Sequence, residues 1–224
     1  MDWRYNTIWF NQIDKLNFYQ GNLKEEKLDL ETFEKVEYSV LWHLKTKQKS
    51  FDKLPISENL RYLELNWANL KELNGLNRFP NLKRLEIHYC RKLESLEGIQ
   101  NVTKLEFLHI NQSKKLNISE HLLKLKDIKV LCLNSCGELP NLDFLSNFKK
   151  LIDFRFVNTK IESGDLRPII EHPTIRTVGF LNKRHYNMKD EQVENILKEK
   201  FKGDYKDIIS KGDSVTYKYQ TYEK

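Results

Sequence analysis

Six times between Leu60 and Phe180 the chain repeats one spacing of apolar residues, L-x-x-L-x-L. The hits are Leu60-Leu63-Leu65, Leu82-Leu85-Ile87, Leu105-Leu108-Ile110, Ile128-Leu131-Leu133, Leu151-Phe154-Phe156 and Ile175-Val178-Phe180. Their starts differ by 22, 23, 23, 23 and 24 residues. A unit of this size cannot bury its own apolar face, so neighbours must stack and share one continuous core. Within each hit the alternation is that of a strand with its apolar residues on one side. Later apolar positions, such as Leu93, Leu96, Ile99 and Val102, carry that core around the back of the coil.

The pattern resembles the leucine-rich repeat of the short, internalin-like class over residues 60 to 181. The resemblance implies an α/β fold: a right-handed solenoid with a parallel concave β-sheet, capped at both ends. A repeat of 22 to 24 residues leaves no room for a full helix behind each strand, so short 3₁₀ or extended segments are expected on the convex side. The ninth position of each unit reads Ala68, Cys90, Ser113, Cys136, Thr159 and Lys183. The family pattern wants a small residue there, tucked inward where the chain leaves the strand. Cys90 and Cys136 therefore read as buried spacers, since free cysteine behaves as a small hydrophobe. Lys183 marks the end of the regular array.

Three segments follow: residues 1–59 as an N-terminal cap with a degenerate first repeat, 60–183 as the solenoid, and 184–224 as a C-terminal cap of helix then strand. Tyr38, 22 residues before Leu60, is the expected start of the degenerate repeat. Trp3, Trp9, Phe10, Phe18 and Trp42 are expected to cover the end of the core. In the second cap, Val193, Ile196, Leu197 and Phe201 share one helical face, with Asp190 as N-cap. Val215, Tyr217 and Tyr219 alternate as a final strand.

Side chains alternate along a strand, so the second, third, fifth, seventh and eighth positions of each unit are expected on an open concave face. Tyr62, Trp67, Tyr89 and Phe107 gather there in the first three rows, with Arg61 and Arg84 among them. Aromatic residues and arginine dominate protein-binding hot spots. The expected partner-binding set is Tyr62, Glu64, Trp67, Arg84, Glu86, His88, Tyr89, Phe107, His109 and Arg155.

The fifth position aligns Glu86, His109 and Cys132, a carboxylate, imidazole and thiol on neighbouring strands. A cysteine-dependent enzyme using Cys132 and His109 is the alternative from another class. An open sheet offers nothing to exclude water or to hold an oxyanion, which weighs against it. Metal binding by His88, His109 and Cys132 lacks the tight ligand spacing of known sites. No glycine-rich phosphate loop, HExxH or CxxC occurs in the 224 residues. No catalytic residue, metal or cofactor is expected.

The net charge of +6 is interspersed rather than striped: residues 60–181 hold 19 basic and 14 acidic groups. A nucleic-acid-binding repeat protein, a third reading, would want a clustered stripe. Three cysteines are too few for a disulfide framework and fit a reducing compartment. The start "MDWRYNTIWF" lacks the charge pattern of a leader, so a cytoplasmic location is expected. Low glycine and proline with much lysine, asparagine and isoleucine suggest a microbial source. The expectation is a non-enzymatic module that binds a partner protein on its concave face, in the manner of a toxin-neutralising immunity protein or an enzyme regulator.

Overall fold

A computed structural model describes residues 14–118 and 120–202, together with the backbone of 208–211 and 214–217. The expectations for Trp3, Trp9, Phe10, Val215, Tyr217 and Tyr219 concern side chains outside the described residues.

The repeats stack as predicted. Eight strands run in chain order through one parallel sheet. They are β1 (Phe18–Asn22), β2 (Tyr38–Trp42), β3 (Tyr62–Asn66), β4 (Arg84–His88), β5 (Phe107–Asn111), β6 (Val130–Asn134), β7 (Asp153–Arg155) and β8 (Thr177–Gly179). The register pairs equivalent repeat positions: Leu63 with Leu85, Leu85 with Leu108, Leu108 with Leu131 and Leu131 with Phe154. Those side chains have no exposed surface. Behind the strands the chain turns through 3₁₀ segments at Leu76–Arg78, Ile99–Asn101, Leu122–Lys124 and Asp143–Asn147. Two of these turns need glycine. Gly75 and Gly98 have φ of +88° and +101°, and a Cβ on Gly98 would lie 2.2 Å from the Leu73 carbonyl oxygen.

The sheet begins before Leu60. Tyr38 pairs with Tyr62, so the degenerate repeat starts at Val36 rather than at Tyr38. In that register Ser39 takes the place of Leu63, fully buried, its hydroxyl without a hydrogen-bond partner. One strand further out, β1 pairs with β2 although its sequence, FYQGN, carries no leucine pattern. A short helix, α1 (Leu30–Lys35), sits between them and buries Phe33; Asp29 caps it by accepting from the Thr32 amide.

At the far end, α2 (Arg167–Glu171) replaces the 3₁₀ turn, and α3 (Asp190–Lys200) closes the described solenoid. Lys189, not Asp190, is the N-cap residue of α3, and its amide donates to the Gln192 side chain. Val193 and Leu197 are buried, whereas Ile196 stands 39% exposed instead of joining their face. Then β9 (Ile208–Lys211) and β10 (Ser214–Tyr217) pair antiparallel with each other, as a hairpin rather than a lone strand. No helix among the described residues is long and apolar enough to cross a membrane.

Candidate functional site

Every unit leaves its strand through a left-handed residue. His43, Trp67, Tyr89, Gln112, Ser135 and Asn158 have φ between 50° and 60°. In this conformation an L-residue crowds its Cβ against the next carbonyl, which costs on the order of 1 kcal/mol. The sheet ladder offsets the strain, because each of these amides donates to the next repeat: Trp67 N to the His88 oxygen and Tyr89 N to the Asn111 oxygen, both at 2.9 Å. The eighth position is thus a turn corner at the end of the strand, not a point on the flat face.

Three rings stack along that corner. Tyr89 lies on Trp67 at 4.9 Å between centroids with planes 14° apart, and His43 covers the other side of Trp67 at 5.3 Å and 20°. Trp42 flanks Trp67 at 5.3 Å. Trp67 and Tyr89 are 41% and 38% exposed, which is unusual for side chains of this size. Burial pulls the His43 pKa down, and the positive charges of Lys24 and Lys45 add to it. Trp42 and His43 were not among the predicted residues. Counting from Val36 places them at the seventh and eighth positions, in step with Asn66 and Trp67.

The face itself is less open than its pattern suggests. Tyr62, Arg84 and Phe107, at the third position, are only 1%, 2% and 2% exposed, which corrects the expectation that they stand free. Strands spaced about 4.8 Å apart let this column pack sideways on itself. The Arg84 guanidinium lies 3.6 Å over the Phe107 ring and 5.6 Å from the Tyr62 ring, and Tyr62 meets Tyr38 at 6.3 Å. Farther along the strands the side chains emerge: Glu64, His88, His109 and Arg155 are half-buried.

Glu86 centres a polar network in this middle band. One oxygen, Oε1, accepts from Arg84 at 2.7 and 2.6 Å and from the Tyr62 hydroxyl at 3.3 Å. The other, Oε2, meets His88 Nε2 at 3.1 Å and His109 Nδ1 at 3.3 Å. Burial pushes the Glu86 carboxyl up, but the Arg84 charge and the two imidazoles outweigh it and hold the group well below the usual carboxylate range. Burial likewise opposes the charged form of His88; the Glu86 hydrogen bond and charge prevail and raise its pKa. Glu64 repeats the arrangement one strand earlier, accepting from Tyr62 and from Asn66. Arg155 holds the fully buried Asp153 through both oxygens, at 3.0 and 3.1 Å.

The thiol and imidazole of the enzyme alternative do not come together. His109 and Cys132 are cross-strand neighbours, yet the remaining ring nitrogen of His109 faces the Asn134 amide at 3.1 Å. The Asn134 Oδ1 already accepts from the Val157 amide, so its Nδ2 must be the donor and His109 Nε2 the acceptor. Cys132 is 4% exposed and burial raises its thiol pKa far above the normal range. Cys90 and Cys136 are buried as expected, their thiols pushed up to about 12 by burial. The carboxylate–imidazole–thiol line exists in the register and supplies no activated nucleophile.

Compared with known proteins, the sequence matches no family profile and no curated sequence. Solved structures of similar fold include internalin C2 of Listeria monocytogenes, with 15% identity and a TM-score of 0.46 over 68% of this chain and 74% of that one. A second internalin of the same bacterium has 13% identity and a TM-score of 0.35 over 70% and 59% of the two chains. A leucine-rich-repeat protein of Leptospira interrogans has 16% identity and a TM-score of 0.44 over 75% and 54%.

Proposed function

Because the chain is a leucine-rich-repeat solenoid with an exposed aromatic stack at the corner of its sheet, we propose that it is a non-enzymatic module that binds a partner protein through that corner and the adjoining concave face. The stack carries the reading. Trp67 and Tyr89 are large, exposed and held rigid by ring contacts and ladder hydrogen bonds, so little ordering is lost when a partner covers them. Beside them, Glu64, His88, His109 and Arg155 form a polar rim of mixed charge, which suits register and partner choice. The buried residues Tyr62, Arg84, Glu86 and Phe107 support this surface from beneath. The partner class that fits is a folded protein whose activity is blocked on binding, a toxin or an enzyme, in the cytoplasm of a microbial cell.

The test compares the wild type with the Trp67→Ala/Tyr89→Ala variant in affinity capture from host lysate, followed by titration of the captured protein. Hot-spot aromatics are worth about 2 kcal/mol or more each, or roughly 30-fold in Kd apiece. A variant that folds and binds within about twofold of wild type overturns the proposal.

One observation favours a second reading. Arg91, Lys114, Lys115 and Gln112 line a cavity of about 350 Å³. No ion pair engages those three cations, and they lie just past Tyr89 in the chain. An anionic partner such as a nucleic acid would use them, and its affinity would fall steeply with salt.

A further inference from the structure

We propose that Glu86, His88 and His109 form a binding site for a divalent transition-metal ion of the zinc type, open to the concave surface. The inference stands apart from the partner reading, since it needs only the side chains of β4 and β5.

Glu86 Oε2, His88 Nε2 and His109 Nδ1 all lie within 4.8 Å of one another. The sheet builds this cluster without a loop. Glu86 and His109 are cross-strand partners, and His88 follows two residues after Glu86 on the same face. Ligands held about 2.0–2.2 Å from one tetrahedral ion stand roughly 3.4 Å apart. Two of the three separations already have that length, at 3.1 and 3.3 Å. The two imidazoles need close on each other only slightly.

The donor set suits a borderline ion: two imidazoles and one carboxylate. Glu86 is prepared for the role, because Arg84 and Tyr62 occupy Oε1 and leave Oε2 to the histidines. An outer hydrogen bond of this kind orients a ligating carboxylate. Arg84 also brings a positive charge, and Glu64, the cross-strand neighbour of Glu86, balances it. The side chains of His88 and His109 are 15% and 21% exposed, so an ion can enter and keep one or more water positions.

One neighbour sets the affinity. An ion on His109 Nδ1 requires the ring hydrogen on Nε2, where Asn134 presents a donor. The Asn134 amide must turn over, and the Val157 amide, at an exposed residue, then passes to water. Asp in place of Asn134 removes the conflict, since one oxygen accepts from His109 and the other from Val157. Such carboxylate–histidine–metal arrangements change affinity by about 10- to 100-fold.

The experiment is a calorimetric titration of the full chain with zinc sulfate, and an optical titration with cobalt chloride, near pH 7.5. The expected result is one ion per chain. His88→Ala and His109→Ala should each weaken binding at least tenfold, and Asn134→Asp should strengthen it about tenfold or more. Absence of one-to-one binding at micromolar zinc overturns the proposal, and so does binding that survives both histidine substitutions. The Asn134→Asp arm decides the matter if a histidine variant loses its circular dichroism: an unchanged or weaker affinity there also overturns it.

Discussion

Thr159 is the ninth-position residue of its unit, 1% exposed, and it ties two repeats together. Its hydroxyl donates to the Leu133 carbonyl at 2.6 Å and accepts from the Cys136 amide at 2.9 Å, both in the buried turn one repeat earlier. Thr159→Val keeps the shape and deletes both bonds. The Cys136 amide then faces a methyl group, and the Leu133 carbonyl loses its hydroxyl donor. Leaving a buried polar group unsatisfied costs about 1–3 kcal/mol, so the pair predicts a loss of about 2–4 kcal/mol. With a urea m-value of about 2 kcal/mol/M, the unfolding midpoint falls by roughly 1–2 M. Thr159→Ser keeps the hydroxyl and loses one methyl, which costs about 1 kcal/mol. Urea titrations followed by circular dichroism, with wild type and both variants side by side, read the difference. If Thr159→Val is as stable as Thr159→Ser, the turn column is held by volume alone and the hydrogen-bond argument fails.

Trp67→Asn should leave stability unchanged or raise it, because asparagine tolerates the left-handed corner, while partner affinity falls; a melt that drops by several degrees contradicts the idea that the ring is kept for binding. Gly98→Ala should cost more than about 1 kcal/mol, given a φ of +101° and a backbone oxygen 2.2 Å from the new Cβ, and an unchanged urea midpoint would refute it. Native protein at pH 8 should react with a thiol reagent far more slowly than free cysteine, since burial raises all three thiols, and should show three equivalents in denaturant. A fast native equivalent would revive the cysteine-enzyme alternative. His172 is buried, with Nε2 donating to the Leu145 carbonyl, and burial lowers its pKa. A lowered histidine pKa means that the unfolded chain binds the proton more readily. The stability it contributes is complete above about pH 6.5 and is lost as the pH falls through the lower folded value. His172→Gln should flatten that part of the melting profile, and an unaltered slope would count against the assignment.

The array was legible because its period is enforced by burial: a leucine at Leu85 or Leu108 has no alternative inside a stacked core. Where burial enforces less, the reading slipped. Ser39 sits in a leucine position, so the eye settles on Tyr38 and misplaces the first repeat by two residues. FYQGN carries no apolar alternation at all, and β1 is recruited by an edge that would otherwise expose its backbone. On the concave side, alternation says which way a side chain leaves the strand and not what lies beside it. Arg84 leaves toward the open face and is captured by Phe107 and Glu86. Trp67 and Tyr89 keep their exposure because the left-handed corner turns them away from that packing. The Glu86–His109 pairing follows from register, but Asn134 as the partner of His109 required atomic geometry.

The row spacing of the sheet also acts as a vernier. From the corner after β3 to Arg155 on β7 there are four strand intervals, about 19 Å at 4.8 Å each. A helix laid across the strands advances about 5.4 Å per turn and slips about 0.6 Å against each row. After four rows it is about 2.4 Å out of step, with its side chains over the gaps rather than the rows. A single helical ligand therefore matches only three or four repeats, and a partner that reaches from Trp67 to Arg155 must meet the surface with segments that are not one continuous helix.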